Sequence, residues 1–200
     1  MHDDHAHAPS SPPPPAPPGK EAIRILASAT PNPSSLKFTV DRPLIEGRTA
    51  QFRTKEEADE SSLARRIWAL GGVTGVFVAG SFVTVSRSDP DSWPVEAKRV
   101  GMAIREHLWS GEPVLPKGSK QASAPVSETE RKILKVLDEV RPYVQGDGGD
   151  IIYAGYEAGT VRVVLQGSCA GCPSSTQTLR LGIETRLKEA CPEVKELVAI

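Results

Sequence analysis

The sequence predicts an α+β protein in which two small α/β domains are joined by a flexible linker. Short alternating strands and helices with one apolar face occur in two groups, and a segment rich in Gly, Pro, Ser and Lys separates the groups. Hydrophobic residues make up 38% of the 200 residues, which is enough for two small cores. The predicted order is a proline-rich tail (1–20), a first domain (21–109), the linker (110–126) and a second domain (127–200).

The first domain is predicted from apolar periodicity and turn signals. A helix ends at the glycine pair 71–72, and Gly80-Ser81 matches the two-residue turn of a β-hairpin. The expected strands are Ile23–Leu26, Leu36–Val40, Val73–Ala79 and Phe82–Ser86, and the expected helices are Ser62–Leu70 and one beginning near Pro94. We find no catalytic constellation in this domain.

The second domain is predicted to have the order α-β-β-α-β. Its first helix begins at a capping box formed by Ser127 and Glu130 and ends at the glycine-rich run 145–150. Two strands, a further helix and a last strand are expected at Ile151–Tyr156, Thr160–Leu165, about Ser174–Ala190 and Val194–Ile200.

Charge, hydropathy and cysteine count limit the possible functions. The net charge is −1, so the chain lacks the basic field that draws proteins to nucleic acid. No apolar run approaches the ~20 residues of a membrane span. The first residues, Met1 to His5, lack the features of a secretory signal or an arginine-rich presequence. Three cysteines do not make a disulfide framework, and we therefore expect a cytoplasmic location.

The candidate site is the segment from Gly167 to Pro173, which contains Cys169 and Cys172 two residues apart. It lies between a predicted strand and a predicted helix, with Pro173 suited to the first helical turn. Free N–H groups at a helix start favour thiolate over thiol. The pair is therefore expected to bind metal or to act in redox chemistry.

Three chemistries use such a pair. A thiol–disulfide pair of the thioredoxin type is expected early in its fold, after a first strand, whereas this pair follows an α-β-β unit. A closed zinc site needs four ligands, and the second domain offers Cys169, Cys172 and the distant Cys191 but no histidine. An iron–sulfur cluster also needs four ligands, which two chains could supply with two thiolates each.

The second domain resembles the C-terminal domain of the NifU/Nfu family of iron–sulfur scaffold and carrier proteins. The residues that carry this resemblance are Arg141-Pro142-Tyr143, the Gly-Asp-Gly-Gly-Asp run at 146–150 and Gly-Ser-Cys-Ala-Gly-Cys-Pro-Ser-Ser at 167–175. The first domain resembles the N-terminal domain that accompanies it, through residues 30–38 and 62–85.

The resemblance implies a protein that is not an enzyme and that holds a [4Fe-4S] cluster between two protomers. Cys169 and Cys172 would be the ligands, and apo iron–sulfur proteins and upstream assembly proteins the partners. A [2Fe-2S] cluster would use the same four thiolates. Cys191 is outside the family motif and is expected to be a core thiol. The first domain is expected by analogy to help in target binding, and the alternative function is a thiol–disulfide oxidoreductase using the same pair.

Overall fold

The computed structural model describes residues 22–115, 127–170 and 173–200. The proline-rich tail, most of the predicted linker and Cys172 lie outside the described residues. Within them, helices and strands are arranged in two units, each with its own sheet.

The first unit is built on a five-stranded antiparallel sheet with strand order β1-β2-β5-β4-β3. Its strands are β1 (Ile25–Ala29), β2 (Ser35–Val40), β3 (Thr49–Phe52), β4 (Val73–Ala79) and β5 (Phe82–Arg87). Its helices are α1 (Lys55–Ala58), α2 (Ser62–Trp68) and α3 (Trp93–Ser110), the last preceded by a 3₁₀ turn at Pro90–Ser92.

Alternation along the central strands gives this sheet two different faces. Val76, Val78, Val83 and Val85 lie in the main core of the first unit, which also contains buried residues of α2 and α3. The intervening residues of these strands point to the opposite face. Those of β4 and β5 include Phe77, Ala79, Phe82 and Thr84, all buried.

The second unit has a three-stranded sheet covered by two helices. Its elements are α4 (Glu128–Gly146), β6 (Gly149–Glu157), β7 (Thr160–Gly167), α5 (Pro173–Ala190) and β8 (Glu196–Ala199). Strand β7 lies in the middle, antiparallel to β6 and parallel to β8. The amphipathic stripe of α4 packs on the sheet together with α5, forming a second core whose buried members include Ile133, Leu137, Ile183 and Leu187.

The two units touch through the face of the first sheet that its own helices leave open. Strands β4 and β5 contact β7 of the second unit, and this contact covers the patch of Phe77, Ala79 and Phe82. The end of β7 therefore lies against the first unit.

The predicted fold class is confirmed, and most predicted elements are found within a few residues. The capping box of Ser127 and Glu130 forms as expected at the start of α4. Strand β1 begins at Ile25 and not at Ile23, and the short elements β3 and α1 were missed. Residues 110–115 also differ from a free linker, since Val114 is buried in the first core. No helix of the described residues is long and apolar enough to cross a membrane.

We expect His107 to make the stability of the first unit depend on pH. Burial, together with the charge of Arg66, holds the pKa of His107 below its usual value, and its Nδ1 lies 3.1 Å from the hydroxyl of Ser62. His107 therefore binds a proton more readily in the unfolded chain than in the folded chain. The stability of the first unit is full above the unfolded pKa of about 6.5 and falls as the pH drops below it. Urea unfolding of the unsubstituted chain and of His107→Gln, followed from pH 8 to pH 5, should show a smaller loss in the variant. Equal losses would contradict this assignment.

Candidate functional site

The candidate site is the turn that leaves β7 and enters α5. Strand β7 ends at Gly167, the turn includes Ser168, Cys169 and Ala170, and α5 begins at Pro173 as predicted. A hydrogen bond from the Ala170 N–H to the Gly167 carbonyl, 3.1 Å long, closes the turn. Cys172 lies outside the described residues, so the structure places one of the two predicted ligands.

Cys169 lies at the edge of the second core with only 6% of its surface exposed. Its sulfur faces the backbone of Gly149, the first residue of β6, which pairs with Gly167 across the ladder. A Cβ atom on Gly149 would lie 2.4 Å from Sγ of Cys169 and 2.8 Å from the carbonyl oxygen of Gln166. The glycine is required here because any side chain would occupy the space of the sulfur.

Hydrogen bonds join the cysteine turn to the turn between α4 and β6. The Ser168 N–H donates to the Gly148 carbonyl at 3.2 Å, and the Ser168 hydroxyl donates to the carbonyl of Asp147. Ser168 is 2% exposed, so both bonds are protected from water. The glycine-rich run and the cysteine motif, separate in sequence, are therefore one paired structure.

An ion pair holds this structure on α4. Nε of Arg141 lies 3.2 Å from Oδ1 of Asp150, and the same carboxylate oxygen accepts the Ile151 N–H at 2.8 Å. Burial raises the pKa of Asp150, while the Ile151 N–H and the charge of Arg141 oppose the rise. Among the described residues no group of three or more His, Cys, Asp and Glu side chains could hold a metal ion.

Cys191 lies at the end of α5 and is fully buried in the second core. Burial and, secondly, the charge of Glu193 raise the pKa of its thiol, which keeps the sulfur protonated and unsuited to binding metal. This placement agrees with the expected core role.

The first unit supplies donors to the same two turns. Lys37 Nζ donates to the Gln145 carbonyl at 2.6 Å, the Thr84 hydroxyl donates to the Gly148 carbonyl at 2.6 Å, and Asn32 Nδ2 donates to the Ser168 carbonyl at 3.3 Å. Sequence reasoning missed these three side chains, because Lys37 and Thr84 belong to strands in which polar and apolar residues alternate, and such a pattern does not tell a solvent-exposed face from a contact face.

A polar cleft opens beside the cysteine turn where the two units meet. Its volume is about 490 Å³, and Gly167 and Ala170 form part of its wall. The opposite wall belongs to the first unit and includes Asn32, Gln51 and Arg53. The cysteine turn is thus enclosed by the core on one side and borders an open cleft on the other.

Both units match known protein families. The family model described as "Scaffold protein Nfu/NifU N terminal" matches residues 25–111, and the one described as "NifU-like domain" matches residues 133–198. NifU-like protein 5, mitochondrial, of Arabidopsis thaliana is 39% identical over 185 residues, which cover 88% of this chain and 67% of that protein. This chain belongs to the Nfu/NifU family.

Further relatives of this Nfu/NifU protein carry related names. The NFU1 iron-sulfur cluster scaffold homolog, mitochondrial, of Homo sapiens is 38% identical over 177 residues, covering 86% of this chain and 69% of that protein. The Drosophila erecta protein of the same name is 36% identical over 185 residues, and the match spans 90% of this chain but 65% of that protein. The solution structure of a NifU-like protein from Saccharomyces cerevisiae covers 57% of this chain and 98% of its own, at 23% identity and a TM-score of 0.45.

The predicted cytoplasmic location is wrong by this comparison, since the relatives from human, fly and plant are all named mitochondrial. The prediction rested on the first few residues and on the small number of cysteines. A low cysteine count indicates reducing conditions and does not by itself identify a compartment.

We expect Gly149→Ala to disturb the site through the sulfur of Cys169. The added methyl group would overlap Sγ and the Gln166 carbonyl, and relief requires a shift of the β6–β7 ladder. The free energy of unfolding should fall by about 1–3 kcal/mol, measured by urea denaturation.

Gly146→Ala is the matched control for this change. Gly146 is the last residue of α4, and a Cβ there would meet nothing within 4 Å. Its stability should change by less than about 1 kcal/mol. Equal destabilisation by the two substitutions would contradict the close-packing argument.

Proposed function

We propose that this protein takes part in iron–sulfur cluster assembly as a carrier without enzymatic activity of its own. It would hold a cluster as cargo through Cys169 and Cys172, bridged between two copies of the chain, and deliver it to apo iron–sulfur proteins. The observation that carries the proposal is the placement of Cys169 on a preformed turn at the start of α5, in a chain of this family. The names of the relatives support the same role.

The chemistry of the turn suits a thiolate that binds iron. The start of a helix offers free N–H groups and partial positive charge, which offset the negative charge of thiolates and of the cluster. Gly149 leaves space for the sulfur. The cysteine turn is therefore prepared for a ligand before any cluster arrives.

Ligand number is the reason for two copies. Both [4Fe-4S] and [2Fe-2S] clusters take four thiolates. One chain offers two in the motif, and Cys191 is fully buried in the core. We propose a [4Fe-4S] cluster with two ligands from each protomer.

Transfer to a recipient would proceed by ligand exchange. Each step forms one iron–thiolate bond to the recipient and breaks one to Cys169 or Cys172, and the proton lost by the recipient's thiol passes to the departing thiolate. No electrons are exchanged. Because the ligands are divided between protomers, separation of the two copies already removes half of them.

Reconstitution without oxygen tests the carrier function. We expect a broad visible sulfide-to-iron band and about four iron and four sulfide per dimer. Cys169→Ser and Cys172→Ser should each abolish the band, because each protomer would then supply one thiolate and the dimer only two of the four that a cluster needs, whereas Cys191→Ser should retain it. Metal-free protein that turns over disulfides and takes up no iron would instead indicate a thiol–disulfide oxidoreductase.

Sedimentation of the same sample tests the bridged arrangement. The colour should sediment with a dimer. The Cys169→Ser variant, put through the same reconstitution, should show no additional dimer, because it is expected to bind no cluster. A cluster-loaded monomer would overturn the bridging model while leaving cluster binding intact.

A further inference from the structure

The first unit presents a polar surface directly to the cysteine turn. This surface, which we call the clamp face, consists of the side chains of Lys37 and Thr84, on the side of the first sheet opposite its helices, and of Asn32 in the loop between β1 and β2. The neighbouring Phe77 and Phe82 pack edge to face at 5.9 Å and are buried. The clamp face is thus a narrow polar row beside a small apolar patch.

Each donor of the clamp face binds a backbone carbonyl next to the site. Lys37 Nζ reaches two carbonyls of the last turn of α4, those of Gln145 at 2.6 Å and Gly146 at 3.2 Å. Carbonyls at a helix end have no partner within the helix and attract a cation. Thr84 and Asn32 bind the carbonyls of Gly148 and Ser168, so the two turns are held at both ends.

The first unit packs so closely against the two turns that their glycines Gly148 and Gly167 have no room for a side chain. Gly148 has φ +78°, and a Cβ there would lie 2.9 Å from the Thr84 hydroxyl oxygen and 3.1 Å from Cγ2 of Thr30. A Cβ on Gly167 would lie 2.8 Å from Cδ1 of Phe77. Gly148 and Gly167 therefore leave room for this face of the first sheet as well as for the neighbouring backbone of their own unit.

We propose that the first unit is a clamp that holds the two turns in the conformation in which the second core shields Cys169, and that it opens when two copies load a cluster. This inference rests on the proposed function in its second part alone, because shielding of the apo thiol is independent of any cluster. It gives the first unit a role at the site itself, beyond the target binding expected by analogy.

The exposure of Cys169 explains why opening is needed. Cys169 is 6% exposed. The N–H of its neighbour Ser168 binds the Gly148 carbonyl in the turn between α4 and β6, and the Ser168 carbonyl accepts a hydrogen bond from Asn32 of the clamp face. A cluster shared with a second copy requires that the partner's turn approach the same sulfur. The turns can move toward a partner only when the hydrogen bonds from Lys37, Thr84 and Asn32 are released.

The rate at which iodoacetamide alkylates Cys169 in the full-length apo protein measures the shielding. A Cys172→Ser background confines the reaction in this peptide to Cys169, and mass spectrometry separates it from Cys191. Thr84→Val removes one donor with little change of shape, and Lys37→Gln removes the helix-end cation. Each should raise the alkylation rate about five-fold, the factor that one ordinary hydrogen bond is worth.

Lys98→Gln is the control for Lys37→Gln. Lys98 is an exposed lysine on α3, on the other side of the same sheet, and its loss should leave the rate unchanged. Far-UV circular dichroism confirms the fold of each variant. If Thr84→Val unfolds because its site is buried, Lys37→Gln decides the result, since Lys37 is partly exposed. Alkylation rates equal to that of the unsubstituted chain in folded variants would overturn the shielding.

Loading kinetics with both motif cysteines intact measure the opening. Thr84→Val and Lys37→Gln should take up iron and sulfide about five-fold faster than the unsubstituted chain, and Lys98→Gln at the same rate. Faster alkylation with unchanged loading would overturn the opening step. If the unsubstituted chain binds no cluster, the proposed function fails, and the alkylation rates still decide whether the clamp exists.

Discussion

Cys169 occupies its position because Gly149, on the neighbouring strand, has no side chain. The sulfur fills the space of a missing Cβ, and the Gly149–Gly167 pair of the ladder sets how far the turn projects from the sheet. The hydrogen bonds of Ser168 and the bond from Asn32 of the first unit are made at this projecting turn, and α5 begins directly after it. A close backbone approach, rather than a charged cluster, is thus the foundation of the site.

The end of α4 is the second point at which the two units are joined. The last carbonyls of a helix have no partner within the helix, and a carbonyl oxygen can accept two hydrogen bonds. Lys37 and Thr84 supply donors to the carbonyls of Gln145 and Gly148. Partial burial lowers the pKa of Lys37, with the charge of Asp147 acting in the opposite direction. Within the second unit the Gln145 carbonyl accepts the Gly148 N–H and the Gly148 carbonyl accepts the Ser168 N–H, so the first unit adds a second hydrogen bond to each of these oxygens.

Local signals were sufficient for most of the fold. Periodicity, the Ser127–Glu130 capping box and the position of Pro173 predicted elements that the structure contains, because each signal acts within a few residues. Strand β3 was missed because its four residues form a strand through pairing with β4. The bond from Lys37 to Gln145 joins residues 108 apart, and no pattern within either segment specifies which sheet face meets which turn.

The proposed clamp would have to bury Cys169 in the apo protein and release it for loading, and the composition of the contact between the units suits both tasks. A contact dominated by apolar area would be costly to open, at about 25 cal/mol for each Å² re-exposed. Hydrogen bonds exchange with water at a net cost of about 0.5–1.5 kcal/mol each. The donors Lys37, Thr84 and Asn32 are polar groups that water can replace, and the apolar part of the contact is the small patch of Phe77, Ala79 and Phe82. In the proposed clamp, such a contact would keep the thiol of Cys169 out of solvent and would still open for a second copy of the chain.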